Sequence, residues 1–180
     1  MQFDLQPRLL GELIELRPLT AADWDELYAV GSDPLIWEQH PESDRYTRPV
    51  FQRYFYGAME SGGAFAVIER ESGRIIGSSR YCNLREDEEV EIGWTFLERK
   101  FWGGKYNGEL KSLMIEHALR FVERVVFVVG KNNIRSQRAL EKIGAQKVGS
   151  KAEAGRDGVL ETHVIFAIRR FGKVADVQSS

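Results

Sequence analysis

Cysteine is nearly absent from this chain: Cys82 is the only one in 180 residues. An intramolecular disulfide is excluded, and so is a cysteine-rich zinc site. Histidine is almost as scarce. His40, His117 and His163 are widely spaced and form no metal-ligand motif, so no metal is expected. No apolar run approaches the roughly 20 residues that a membrane-spanning helix needs. Neither sign of charge dominates. The 25 Lys and Arg against 27 Asp and Glu leave a formal net charge of −2, so neither nucleic acid nor membrane is expected as a partner. A local basic pocket for one phosphorylated ligand is still compatible with that balance. The stretch from Met1 to Gly11 has no basic segment followed by an apolar core. No secretory leader is therefore expected, and the cytoplasm is the default compartment.

What is present is an ordinary globular composition, 43% hydrophobic and 29% charged. There is no repeat, low-complexity tract or linker. One domain over 1–180 is expected, with its core at about 13–168 and a tail that frays from about 171. Leu13 to Arg17 reads as a strand. Thr20, with Asp23 at capping-box spacing, opens a helix whose apolar face is Trp24, Leu27 and Tyr28. Thr47 and Pro49 open a second, with Phe51, Tyr54, Phe55, Ala58 and Met59 on one side and Gly62-Gly63 as its stop. Three strands follow, Ala64 to Glu69, Ile75 to Leu84 and Glu89 to Phe96. Their short links favour an antiparallel meander.

The grammar then changes. Phe101 to Gly108 is rich in glycine. Leu110, Leu113, Met114, His117, Ala118 and Phe121 recur at helical spacing, and His117 on that face reads as a core histidine. Arg124 to Val129 is a strand whose core, Val-Val-Phe-Val-Val, is all apolar and fit for burial on both faces. Asn133 starts a helix with Ala139, Leu140 and Ile143 inward and Gly144 as its stop. Two last strands lie around Gln146 to Ser150 and Leu160 to Arg169. The sum is an α/β (α+β) layer: a mostly antiparallel, twisted sheet of about seven strands with helices on both faces.

Trp102-Gly103-Gly104-Lys105-Tyr106-Asn107-Gly108 lies between a strand and a helix. Glycines let a backbone turn sharply and approach a ligand closely. The free amides of a first helical turn, with the positive end of the helix dipole, make an anion site. Lys105 adds a charge, and a pyrophosphate is the natural guest. A plain tight turn with a cap explains the same residues. The dinucleotide pattern GxGxxG and the phosphate-loop pattern GxxxxGK[ST] are both missing.

Three patterns in order resemble the GNAT superfamily of N-acetyltransferases, in the branch related to ribosomal-protein N-terminal acetyltransferases. They are Val90-Glu91-Ile92-Gly93-Trp94; then Glu98 to Tyr106 through the glycine turn; then Asn133-Ile134-Arg135-Ser136 followed by Leu140-Glu141-Lys142-Ile143-Gly144. The similarity runs from about Leu13 to about Ile168. The resemblance implies transfer of an acetyl group from acetyl-CoA to a primary amine, by direct attack in a ternary complex. The acceptor would be a small molecule or a peptide N-terminus, and a homodimer is compatible with the branch. One departure stands out. The branch loop reads Trp-Gly-Lys-Gly-Tyr-Ala, whereas this chain has Lys105 and Asn107 at the two small-residue positions. Which amides meet the pyrophosphate is thereby left open.

Acetyl transfer needs the amine to lose a proton, the thioester oxygen to be stabilised, and the departing thiolate to gain a proton. Glu91 is the candidate base, on the same strand face as Gly93 if alternation holds; the other reading is a solvent-facing member of the acidic turn. Ser136 is the candidate donor to the thiolate by resemblance, or a first-turn serine satisfying the backbone. Tyr106 is a rival donor, or a loop anchor. Coenzyme A would lie along Trp94, Phe96 and Leu97 by main-chain bonds, over Trp102, Gly103, Gly104, Lys105, Tyr106, Asn107 and Gly108, and against Asn133, Arg135, Ser136 and Arg138. The oxyanion donor would be a strand amide between Trp94 and Leu97. Cys82, inside a strand with no nearby histidine, reads as a small buried hydrophobe. Two rival functions stay in view: a non-catalytic acyl-CoA-binding or regulatory module of the same fold, and an unrelated nucleotide-binding protein.

Overall fold

The computed structural model describes residues 2–171; the expected fraying of the tail concerns 172–180, which lie outside the described residues. The first long strand, β2 (Ile14–Pro18), buries Ile14 and Leu16 completely, as its alternation requires. A two-residue strand, β1 (Leu9–Leu10), pairs antiparallel with it. This strand raises the sheet to eight rather than about seven, and two residues are too few to show a period.

Thr20 caps as its spacing with Asp23 indicates: its amide donates to Asp23 Oδ2 at 2.8 Å. The first turn, Ala21–Asp23, is a 3-10 turn, and helix α1 proper is Trp24–Gly31. Helix α2 (Arg48–Ser61) follows Thr47 and ends at Gly62, whose φ of +65° only glycine adopts freely. Its buried side carries Phe51, Tyr54, Phe55 and Ala58, but Met59, expected with them, is 38% exposed because it lies a further step round the helix.

The meander is β3 (Ala64–Glu69), β4 (Ile75–Arg85) and β5 (Glu89–Leu97), all antiparallel. Helix α3 (Lys105–Ala118) crosses to β6 (Arg124–Gly130); α4 (Ile134–Lys142) leads to β7 (Gln146–Ala154) and β8 (Leu160–Arg169). The sheet order is β1-β2-β3-β4-β5-β6-β8-β7. Helices α1 and α2 pack on one face through Leu27, Phe51 and Phe55. Helices α3 and α4 pack on the other through Leu110, Met114 and Leu140. In β6, Val125 and Phe127 are buried, whereas Val126 and Val128 are only half-buried. The expected burial on both faces fails because helices α3 and α4 cover just one of them.

His117 is the expected core histidine: it is buried, with its Nε2 2.8 Å from Asp4 O. Phe121 lies beyond the end of α3 and stacks on Phe3 at 5.0 Å. Glu109, also on α3, accepts from the amides of Glu12, Leu13 and Ile14 at 2.7, 2.9 and 2.8 Å. One carboxylate thus docks the central helix on the opening of β2.

Candidate active site

Among the described residues, strands β5 and β6 are the only parallel neighbours, paired at Glu89 with Arg124, Val90 with Val125 and Glu91 with Val126. Beyond these pairs the two strands part. From Gly93 onward β5 has lost a partner on that side, and unpaired strand groups must be satisfied from elsewhere. The fork opens into a cleft of about 680 Å³, a size suited to a small-molecule ligand. Gly93, Trp94, Thr95, Phe96 and Leu97 form one wall; Phe127 to Gly130 form the other.

A bulge marks the fork. Arg80 pairs with Gly93 but Ser78 with Phe96, so Ser79 faces two residues, Trp94 and Thr95. Trp94 takes φ +56°, rare for a bulky residue, and Tyr54 Oη donates to its carbonyl at 2.6 Å. The bulge turns the backbone of β5 toward the opening.

The glycine turn closes the far end of the cleft. Gly103 and Gly104 take φ +97° and +148°. A Cβ at either would meet nothing within 4 Å, so the backbone conformation, not crowding, requires glycine. Lys105, Tyr106, Asn107 and Gly108, expected in the loop, form the first turn of α3, and Gly108 N donates to Gly104 O at 2.9 Å. The amides of Lys105, Tyr106 and Asn107 precede that bond and have no intrahelical acceptor. Trp102, Gly103, Gly104, Asn107 and Gly108 line the cleft, but the Lys105 side chain does not: it is exposed outside the wall. Tyr106 does not line the cleft either: its ring packs on Phe101 at 4.7 Å and its hydroxyl reaches Glu69 Oε1 at 3.4 Å, the contacts of a loop anchor.

Across the opening, Asn133 caps α4, its Oδ1 accepting from Ser136 N at 3.3 Å. Asn133, Ser136 and Arg138 line the cleft. Arg135 is held rather than free. Its Cζ lies 3.8 Å from the centroid of the Trp102 ring and its Nη2 donates to Ile36 O at 3.0 Å, tying α4 to the segment after α1.

Glu91 does share its face with Gly93: a Cβ at Gly93 would lie 3.3 Å from Glu91 Oε1. Yet Glu91 is not in the cleft wall. It is the last β5 residue still paired to β6, so it stands below the fork, and its carboxylate accepts from Asn83 Nδ2 at 2.6 Å. Cys82 sits beside it. Burial, reinforced by Glu91, pushes its thiol up to about 12, which leaves it inert as a nucleophile.

Sequence reasoning missed several lining residues. Lys111 is buried in the cleft floor and donates to Thr95 Oγ1 at 3.1 Å; Thr95 in turn shares a 2.8 Å bond with Ser79. Burial brings the Lys111 ammonium down to about 8. Its signal was present: a lysine between Leu110 and Met114 on an apolar helix face, four residues after Asn107. His40 and His163 also line the cleft. Burial, with Arg45 nearby, drops His40 to about 3, so it is neutral, and its Nδ1 accepts from Glu42 N at 2.9 Å. His163 Nδ1 is buried without a hydrogen-bond partner. The fold sets His40, from the turn after α1, near His163 of β8, which linear spacing conceals. Among the described residues no group of three or more His, Cys, Asp or Glu is placed to hold a metal ion, and no helix is long and apolar enough to cross a membrane.

The sequence matches the acetyltransferase (GNAT) domain over residues 14–146, so the chain belongs to the GNAT acetyltransferase family. Solved structures share the fold. A GCN5-related N-acetyltransferase from Brucella melitensis superposes with a TM-score of 0.79 at 21% identity, over 91% of this chain and 79% of that one. A GNAT-family acetyltransferase from Bacillus anthracis gives 0.70 at 19%, over 91% and 98%. The ribosomal-protein-S5-alanine acetyltransferase from Vibrio fischeri gives 0.62 at 16%, over 91% and 97%. An unrelated nucleotide-binding protein is thereby set aside.

Proposed function

We propose that this chain moves an acetyl group from acetyl-CoA to a primary amine, by direct attack within a ternary complex in the cytoplasm. The observation that carries the reading is the fork between β5 and β6, which meets the free amides of α3 in one cleft. An extended pantetheine arm suits the unpaired edge of β5, and a pyrophosphate suits the helix N-terminus beside Gly103 and Gly104. Asn133 and Arg138 line the path between those ends.

The attacking amine must give up its proton as the carbon–nitrogen bond forms. Glu91 stands below the fork and serves only through water. His163 presents an unpartnered Nδ1 inside the cleft wall, and in the tautomer with hydrogen on Nε2 that atom accepts a proton directly. An amide of β5 past the bulge would hold the thioester oxygen as charge develops. The departing sulfur, of pKa about 8.5 if it resembles a cysteine thiol, is served by the Ser136 hydroxyl, and the Lys111 ammonium adds a positive field from the floor.

Calorimetry with acetyl-CoA, followed by thiol release over a panel of amines, tests the reading. Binding with amine-dependent thiol release is the expected result. Binding without turnover across the panel points instead to a non-catalytic acyl-CoA module. No binding to folded protein overturns both.

A further inference from the structure

Arg80, on β4, is 5% exposed, yet it takes part in no ion pair among the described residues. Among the described residues its side chain makes one hydrogen bond, from Nη2 to Tyr54 O at 3.2 Å, and its Nε is buried with no partner. Most of its five N–H donors therefore lack an acceptor. Its Cζ lies 4.5 Å from the Trp94 ring centroid and 5.5 Å from that of Tyr54. The aromatic faces soften the desolvation of the cation but accept none of its hydrogen bonds. A buried guanidinium left in this state calls for an anion.

The surroundings leave room for one. Arg80 lines a second pocket, of about 270 Å³, with Glu42, Arg53, Tyr54, Gly57, Trp94 and Arg156. Glu42 is the only carboxylate in that wall, and it is spent on Arg45 at 2.6 Å. Gly57 sits in the interior of α2, where glycine costs up to about 1 kcal/mol relative to alanine. A Cβ there would meet only Arg80 Nη1, at 3.7 Å. The glycine therefore opens the helix wall directly over the guanidinium. Trp94 lines both this pocket and the cleft, so the two spaces are neighbours across one side chain at the bulge.

We propose that the pocket is an anion subsite for the acceptor, and that the acceptor is an amine carrying its own carboxylate, held by Arg80 while the amine points past Trp94 into the cleft. This rests on the acetyltransferase reading. It selects amino acids, or peptides with an acidic first residue, over polycationic amines, which the guanidinium groups of Arg80 and Arg53 repel, while Arg156 in the same wall is paired with Asp44 at 2.5 Å. A carboxylate matches the fork of an arginine bidentately, and a site built for it rejects the uncharged isostere strongly.

The test compares L-amino acids with their C-terminal carboxamides, and short peptides beginning with Asp or Glu with those beginning with Asn or Gln. Spermidine serves as the cationic control. Binding is measured by calorimetry on protein saturated with coenzyme A, and turnover with acetyl-CoA. At least one acid is expected to bind ten-fold or more tightly than its amide, and the free or peptide arm shows which source the site takes. Arg80→Met is expected to erase that preference while coenzyme A still binds. Gly57→Leu, which fills the pocket from α2 and favours the helix, is expected to do the same with Arg80 in place. Equal binding of acids and amides, or a preference that survives both variants, overturns the proposal. Acids bound by Arg80 but never acetylated leave the subsite standing and count against the acetyltransferase reading. Acids and amides acetylated alike do the reverse.

Discussion

At the scale of single residues, the proposed reaction has two candidate bases, His163 in the cleft wall and Glu91 below the fork. His163→Gln is expected to lower kcat by about 10²–10⁴-fold, and Glu91→Gln by much less; steady-state kinetics over pH separates them, and the reverse order restores Glu91. Lys111 gives a stability signature of its own. Its native pKa of about 8 lies below the ordinary 10.5. Between those values the unfolded chain holds a proton that the native protein has released, so stability rises with pH through that window. Relative to Lys111→Met, the wild type should gain about 3 kcal/mol at most from pH 8 to 10.5, read by urea unfolding at each pH. A flat difference would mean that the ammonium is solvated. Tyr106 and Lys105 show why motif reading fell short here. A loop motif says which backbone turns, but the first turn of a helix points successive side chains about 100° apart, so only some of them can face the ligand.

At the scale of elements, most of the fold was legible. Val90 to Trp94 and the glycine turn lay where their patterns indicated, because alternation and glycine clusters are local signals. The two-residue β1 was not legible, nor was the fork, because strand pairing is non-local and leaves no period in sequence. The turn is the element most open to test. Gly103 holds φ +97°, so Gly103→Val should cost roughly 1–3 kcal/mol of local strain and weaken acetyl-CoA at least ten-fold by calorimetry. Unchanged affinity would show that the turn does not form the anion site. Glu109→Ala strands three amides at the start of β2. Loss of about 2–3 kcal/mol is expected from removing the bonds to its charged group, and a thermal melt unchanged by the substitution would contradict the docking role.

At the scale of the whole molecule, β1 to β5 form one run of antiparallel strands, and β6, β8 and β7 another. Their shared seam is three residue pairs long. Each run carries its own hydrogen bonds, and this short seam is what joins the two within the sheet. A ligand laid along it as an added strand would act as a zip. At a concentration a hundred times its Kd, acetyl-CoA should raise global stability by about 2.7 kcal/mol through mass action alone. Amide exchange should slow first at Thr95 to Leu97 and Phe127 to Gly130, on both lips of the opening. The co-substrate would then be a mechanical part of the protein while bound, and each round of catalysis would end by unlocking the two halves that it had joined.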